Sequence, residues 1–105
     1  MLKFIATLHR KPGMSREEFL RHWREVHVPL VAVLPHLKGY VINPFVETMD
    51  DERPYDGIAE LWYEDRENFE KSLASPQGDA SRADLAAFTD LTRMTRAIVE
   101  EHRIL

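Results

Sequence analysis

The chain has 105 residues, with 14 lysines and arginines against 18 aspartates and glutamates, and no cysteine. This length suits one domain, residues 1–105, with a single core. The absence of cysteine excludes disulfides, thiol nucleophiles and thiolate metal ligands, and the net charge of -4 is spread without a basic run, which argues against nucleic acid as a partner. No apolar stretch approaches the roughly 20 residues that a membrane helix needs. No signal-peptide pattern is present, so we expect a cytoplasmic protein.

Hydrophobic periodicity divides the chain into strands and helices. In chain order we predict a strand over residues 2–10, a helix over 15–34, strands over 37–47 and 56–63, helices over 66–74 and 79–88, and a strand over 94–104. A Ser-x-x-Glu capping box at Ser15 marks the start of the first helix. Pro29 is expected to kink this helix just beyond His27, because proline lacks the N–H of the helical bond and disfavours helical geometry at the preceding residue. Residues 48–55 form an acidic surface connection.

The order β-α-β-β-α-β is that of α+β, ferredoxin-like domains. It predicts a four-stranded antiparallel sheet with the helices on one face. The predicted strand 56–63 carries large apolar side chains on both faces, since Ile58 and Trp62 alternate with Leu61 and Tyr63. A sheet with one wet face would be more polar, so both faces are expected to be covered. The simplest cover is the same sheet of a second copy, which predicts a homodimer.

His27 is the residue that bears most directly on function. In a regular helix it lies about 80° from Phe19, between apolar positions that include Trp23, so its side chain points to the core or to a pocket. A buried imidazole either has a structural hydrogen-bond partner or acts as a general acid and base. His22 lies about 140° away around a regular helix, so the two imidazoles are not expected to bind one metal ion, and we predict no metal site.

Other side chains could complete a site around His27. Tyr40 is either a proton donor and oxyanion partner or an ordinary strand aromatic. Glu60, if both sheet faces are covered, must be paired or protonated; Arg96 is the expected partner, and a second acid/base or substrate-orienting role is the alternative. Four aromatic residues either wall an apolar cleft, which would favour a flat apolar ligand, or pack in the core: Phe4, Trp23, Trp62 and Phe88.

Short motifs along nearly the whole chain match one family. They are Pro12-Gly-Met-Ser-Arg-Glu-Glu-Phe19, Trp23-Arg-Glu-Val-His27 with Pro29-Leu30, Gly39-Tyr40-Val41, Asp56-Gly-Ile-Ala-Glu-Leu-Trp62 and Ser75-Pro-Gln-Gly78. These segments resemble the EthD family of dimeric α+β-barrel proteins. The resemblance implies a homodimer whose two sheets face each other, with a cleft between sheet and helices toward which the matching histidine faces. Members are often labelled reductases, but no Gly-x-Gly-x-x-Gly fingerprint follows the first strand.

The residues and the resemblance together predict a small cofactor-free enzyme of the lyase or isomerase type, such as a dehydratase or cyclase. Its substrate would be an apolar cyclic or aromatic small molecule, with His27 moving a proton next to a carbonyl and Tyr40 holding the enolate oxygen. One alternative is a non-catalytic protein that binds such a molecule for a neighbouring enzyme of a catabolic or biosynthetic pathway. Another is a haem- or oxygen-dependent monooxygenase with His27 as the haem ligand, as the wider superfamily implies.

Overall fold

The computed structural model describes residues 1–50 and 55–105, which form an α+β, ferredoxin-like fold. The predicted acidic connection falls partly on residues 51–54, outside the described residues. The elements are β1 (Leu2–Leu8), α1 (Arg16–His22), a π-helix (Trp23–His27), α2 (Val28–Ala32), β2 (Leu37–Pro44), β3 (Gly57–Tyr63), α3 (Arg66–Ala74), α4 (Pro76–Phe88), a 3-10 turn (Leu91–Arg93) and β4 (Arg96–Val99). Among these elements, no helix is long and apolar enough to cross a membrane.

The four strands form one antiparallel sheet in the order β2-β3-β1-β4, which confirms the predicted architecture. Tyr40 lies opposite Leu61, Leu61 opposite Phe4, and Phe4 opposite Ile98, so these four residues form one row across the sheet. Paired residues of an antiparallel sheet point to the same face, and this row points toward the helices. We call this the inner face, and the opposite one the outer face.

The helical segment that follows β1 begins as predicted, because the Ser15 hydroxyl accepts a hydrogen bond from the backbone N–H of Glu18 at 3.1 Å. The expectation that Pro29 disfavours helical geometry at Val28 is wrong, since the φ of -53° and ψ of -46° of Val28 are helical. The irregularity instead precedes Pro29, in the π-helix, where the N–H of Val28 bonds to the carbonyl of Trp23. Pro29 is tolerated because it lies in the first turn of α2.

Two further boundaries differ from the sequence prediction. The segment at Ser75 begins α4 instead of separating two helices by several residues, because the Ser75 hydroxyl accepts from the N–H of Gly78 at 3.0 Å and Pro76 occupies the first turn. The last strand covers only Arg96–Val99, less than half of the predicted 94–104, because its pairing with β1 runs only from Arg96 opposite Ala6 to Val99 opposite Lys3.

The core lies between the inner face and the helices. Its largest fully buried side chains are Phe19, Trp23, Tyr63 and Phe88. The ring of Trp23 lies directly over Gly57, where a Cβ atom would come within 2.6 Å and 2.7 Å of two ring carbons. Glycine at the start of β3 therefore lets the helical layer approach the sheet closely.

We predict that Gly57→Ala destabilises the fold by about 1–3 kcal/mol, because the added methyl group overpacks the contact with Trp23. The matched control is Gly39→Ala on the outer face, where the nearest atom is a Trp62 ring carbon at 3.1 Å that can shift slightly. Urea denaturation at fixed protein concentration measures both. Equal midpoints for Gly57→Ala and the wild-type protein would contradict the close packing described above.

Candidate functional site

A cavity of about 490 Å³ lies between the inner face of the sheet and the helices. Its walls are mostly apolar and include Phe4, Leu8, Val31, Leu34, Leu61 and Phe69. Arg96 and Ile98 of β4 line the cavity and are exposed, so the cavity opens to solvent at this edge strand. An apolar pocket with a few convergent polar groups is the usual form of a small-molecule site.

One carboxylate joins two histidines beside this cavity. Asp84 of α4 bonds through Oδ2 to Nδ1 of His27 at 2.9 Å, and through Oδ1 to Nε2 of His22 at 2.9 Å. His27 lines the cavity and is only 6% exposed, whereas His22 is partly accessible to solvent. The three side chains therefore form a chain of hydrogen bonds from the cavity wall to the surface.

The π-helix is what brings the two histidines to one carboxylate. In a regular α-helix His22 and His27 would diverge by about 140°. A π-helix bonds residues that are five apart, so residues at this spacing lie on nearly the same side. The expected divergence is therefore wrong for this helix. Among the described residues, no three His, Asp or Glu side chains are placed so that they could hold a metal ion.

The bond to Asp84 fixes which nitrogen of His27 carries the proton. An ionised carboxylate only accepts hydrogen bonds, so Nδ1 of the neutral imidazole is the donor and Nε2 keeps its lone pair. Among the described residues, none forms a hydrogen bond with Nε2. The ring packs against Phe88, with centroids 5.0 Å apart, and this contact fixes its orientation. Nε2 is therefore the basic atom that a ligand in the cavity would meet.

Burial keeps His27 uncharged. It lowers the pKa of His27 below its ordinary value of 6.5, and this effect exceeds the opposing attraction of the Asp84 carboxylate. The nearby His22 lowers the pKa of His27 further. A neutral imidazole with a carboxylate behind it is suited to accept a proton, because Asp84 stabilises the imidazolium that results.

Two buried donors without a hydrogen-bond partner lie on the same cavity. They are the indole Nε1 of Trp23 and the hydroxyl of Tyr40, and both residues line the cavity wall. Burial raises the pKa of Tyr40 to about 12, so its hydroxyl stays protonated and can donate. The indole N–H of Trp23 lies close enough to limit the rise in the pKa of Tyr40, but it does not form a hydrogen bond with the Tyr40 hydroxyl. Buried donors left unpaired are costly, which makes them strong candidates for contacts with a ligand.

The structure brings together only part of the predicted site. Phe4, Trp23, His27 and Tyr40 all line the cavity. Phe88 is fully buried behind the two histidines, stacked on His22 at 4.7 Å, and supports the site without lining it. These positions give Phe88 a packing role, and leave the other four available to a ligand.

Glu60 and Trp62 lie on the outer face, so they cannot contact a molecule held against His27. Strand alternation separates them from Leu61, which faces the cavity. The expected pairing of Glu60 with Arg96 is wrong: Glu60 forms an ion pair with Lys3 at 2.8 Å and accepts a hydrogen bond from Asn43 at 3.0 Å. The pKa of Glu60 is lowered by Lys3 and Asn43. Glu60 is thus an ionised partner in an outer-face network.

Asp84 is the site residue that sequence reasoning missed. Its signal was available, since helical spacing places Asp84 beside Phe88, four residues on, along the apolar side of α4. A carboxylate on such a side requires a hydrogen-bonding partner. The partner could not be identified from the sequence because the pairing spans 57 residues and depends on the π-helix.

Together, these observations define a ferredoxin-like protein with an apolar cavity and a histidine that is hydrogen-bonded to a carboxylate beside it. The EthD domain model matches residues 11–92, and the chain belongs to this family. An ethyl tert-butyl ether d (ethd) family protein from Bacillus halodurans has a similar structure, with a TM-score of 0.83 and 27% identity, covering 97% of this chain and 99% of that one.

Two more distant structures share the fold alone. A dimeric ferredoxin-like protein of unknown function from Thermobifida fusca has a TM-score of 0.70 and 17% identity, covering 93% of this chain and 86% of that one. SnoaB, a cofactor-independent oxygenase from Streptomyces nogalater, has a TM-score of 0.66 and 17% identity, covering 99% and 95%. The fold therefore occurs in a dimer and in an enzyme that works without a cofactor.

We predict that part of the folding stability depends on His27 being uncharged. Because the folded-state pKa is lowered, the unfolded chain takes up this proton first as the pH falls. The contribution of His27 is complete above about pH 6.5 and is lost progressively as the pH drops through 6.5 toward the lower pKa of the folded state.

Urea denaturation from about pH 7.5 to about pH 5.5, at fixed protein concentration, tests this dependence. The free energy of unfolding should fall more in the wild-type protein than in His27→Gln. His9→Gln is the matched control, because burial also lowers the pKa of His9. This variant should keep the part of the pH-dependent change in unfolding free energy that His27 causes. The same pH dependence in wild type and His27→Gln would contradict the assignment.

Proposed function

We propose that this protein is a cofactor-free enzyme of the lyase or isomerase type that moves a proton on an apolar cyclic or aromatic small molecule. The observation that carries the proposal is the state of His27, whose Nδ1 is held by Asp84 while Nε2 is left unbonded at an apolar cavity. This arrangement makes a neutral imidazole into an oriented general base.

The reaction begins with removal of a proton from a carbon next to a carbonyl group of the ligand. Nε2 of His27 takes the proton, the electron pair of the C–H bond moves into the enolate, and the imidazolium remains hydrogen-bonded to Asp84. The imidazolium then returns the proton. Delivery to a different carbon gives an isomer, and delivery to a hydroxyl leaving group releases water and completes a dehydration.

The developing enolate oxygen needs donors that are already in place. The Tyr40 hydroxyl and the Trp23 indole N–H are buried beside the cavity without partners, and both are donors at neutral pH. In an apolar site such donors stabilise a developing negative charge far more than they would in water. They support an anionic transition state more than a neutral bound ligand, and this difference is what accelerates a reaction.

Two alternatives remain as outcomes of the tests. A non-catalytic binding protein would use the same apolar cavity, and His27 would have no chemical role in it. In a haem- or oxygen-dependent monooxygenase, Nε2 of His27 would hold the haem iron, and Asp84 would be the supporting acceptor that a ligating histidine usually has. Titration with haem separates this alternative, because a saturable Soret shift that disappears in His27→Gln would favour it.

We predict that His27→Gln lowers the rate of proton exchange on a bound ligand by about a hundredfold or more. A thermal-shift screen of phenols, lactones and quinones first identifies a ligand, since a compound at about a hundred times its Kd stabilises the protein by roughly 2.7 kcal/mol. Deuterium uptake from D2O at the carbon next to the carbonyl is then followed by NMR.

The control is His102→Gln, whose side chain is 66% exposed and does not line the cavity. It should exchange at the wild-type rate, while Asp84→Asn should slow exchange because the imidazolium loses its counter-charge. An undiminished rate in His27→Gln would refute the mechanism. Ligand binding with no exchange in any of these proteins would leave the binding-protein alternative.

We further propose that two copies pair through the outer faces of their sheets. The outer face carries large apolar side chains, with Ile58 and Trp62 on β3 and Val41 on β2. Its lysine is already held by carboxylates, since Lys3 pairs with Glu60 at 2.8 Å and with Glu101 at 3.1 Å and also lies 4.9 Å from the ring centre of Trp62. An apolar face whose lysine is paired is suited to burial, and the fold neighbour from Thermobifida fusca is described as dimeric.

Ile58→Glu is expected to convert the dimer into a monomer, because it places an unpaired charge on the paired faces. Size-exclusion chromatography with light scattering measures the mass. The control is Val33→Glu, at a position that is 61% exposed on the helical side, which should keep the wild-type mass. A monomeric wild-type protein, or an unchanged mass for Ile58→Glu, would contradict this mode of assembly.

A further inference from the structure

We propose that the ligand of this cavity carries a carboxylate at the end opposite Tyr40, and that Arg96 binds it. The inference rests on the proposed role of the cavity as a ligand site, and not on the proton transfer assigned to His27. It narrows the ligand class from an apolar molecule to an apolar acid.

Arg96 belongs to the inner face of the sheet. The register pairs Arg96 with Ala6, Ala6 with Ala59, and Ala59 with Ile42, so these four residues form a row that points toward the helices. Arg96 lines the cavity as a result. An arginine on the otherwise apolar face of a sheet is unusual, since a charged side chain here needs a partner or access to solvent.

The guanidinium of Arg96 is available for a ligand. Among the described residues, no carboxylate lies within ion-pair distance of Arg96, and its expected partner Glu60 is bound to Lys3 on the outer face. Arg82, which also lines the cavity, is already held by Asp79 at 2.5 Å and by a backbone carbonyl at 2.7 Å. A planar guanidinium with open donors matches a carboxylate, which it binds through two parallel hydrogen bonds.

The sheet itself sets the length of the ligand. Tyr40 lies on β2 and Arg96 on β4, the two outermost strands, and three interstrand spacings separate these strands by about 14 Å. Both residues line the cavity, so a ligand held between their side chains is shorter than this distance. The floor between them carries Phe4, Leu61 and two alanines, Ala6 and Ala59. Small side chains leave room for a flat, extended ring system.

The position of Arg96 at the mouth explains how a charge can be bound without excessive desolvation. Arg96 and its strand neighbour Ile98 are exposed, so a carboxylate bound there keeps part of its hydration. A fully buried ion pair would lose much of its attraction to the cost of removing both charges from water. The apolar body of the ligand then lies inside, with its oxygen toward Tyr40 and Trp23.

The test compares 6-hydroxy-2-naphthoate with its methyl ester, which keeps the rings and the hydroxyl but removes the charge. Isothermal titration calorimetry should show that the wild-type protein binds the acid about tenfold or more tightly than the ester. In Arg96→Gln this preference should fall to about one, with little change in the Kd of the ester. Arg66→Gln, which removes a charge 64% exposed on α3, should keep the wild-type preference.

Three results would overturn the inference: equal affinities for acid and ester, an acid preference that survives Arg96→Gln, or no binding of either compound. The proposed reaction is judged separately, by deuterium exchange. If binding of the acid depends on Arg96 but deuterium exchange is unchanged in His27→Gln, the ligand class is supported and the proton-transfer mechanism is refuted. If exchange depends on His27 but the acid is not preferred over the ester, the mechanism is supported and the ligand class is refuted.

Discussion

The arrangement of the candidate site depends on the carboxylate of Asp84. It lies on α4 and bonds to two imidazoles of the facing helical segment, at 2.9 Å to His22 and 2.9 Å to His27. These bonds connect the two helical elements above the cavity, satisfy a largely buried charge, and select the tautomer of His27 that presents a lone pair to the cavity. Burial lowers the pKa of His27 in spite of the carboxylate beside it, so the imidazole that lines the cavity is neutral at pH 7.

This bridge depends on a local departure from regular helix geometry. The π-helix Trp23–His27 places His22 and His27 on the same side and leaves Pro29 in the first turn of the next helix. Single turns of π-helix are often found at functional sites, where they reorient a side chain at some cost in backbone hydrogen bonding. Here the turn reorients two side chains at once. Because Asp84 and the stacked ring of Phe88 contact both, the packing of α4 stabilises a backbone conformation that the local sequence alone would not favour.

The sequence was sufficient for the fold because the relevant signals are local. Alternation in β3 and the capping box at Ser15 each depend on residues within one element. The failures concern interactions between elements or departures from regular geometry. The α-helical angle gave the wrong relation between His22 and His27, and the pairing of Glu60 could not be assigned without the register that places Lys3 near it. Helical and strand periodicity place His27 and Tyr40 on the inner side, where both line the cavity, but periodicity does not identify the Asp84 carboxylate as the partner of His27.

The two faces of β3 separate two kinds of chemistry. Toward the outside, Lys3, Glu60 and Asn43 form a compensated charged network on an apolar surface. Toward the inside, the polar groups deep in the cavity are uncharged at neutral pH: an imidazole with a lowered pKa, a phenol with a pKa of about 12, and an indole.

The absence of charge deep in the cavity matters for the proposed reaction. Donors in a neutral cavity stabilise a charge that develops during a reaction most strongly, because no resident ion competes for them. The permanent charge of Arg96 lies at the mouth, where it can orient a ligand without opposing the creation of an imidazolium in the interior. The distribution of charge along the cavity therefore favours a ligand that brings its own negative group to the rim and generates a second, transient one inside.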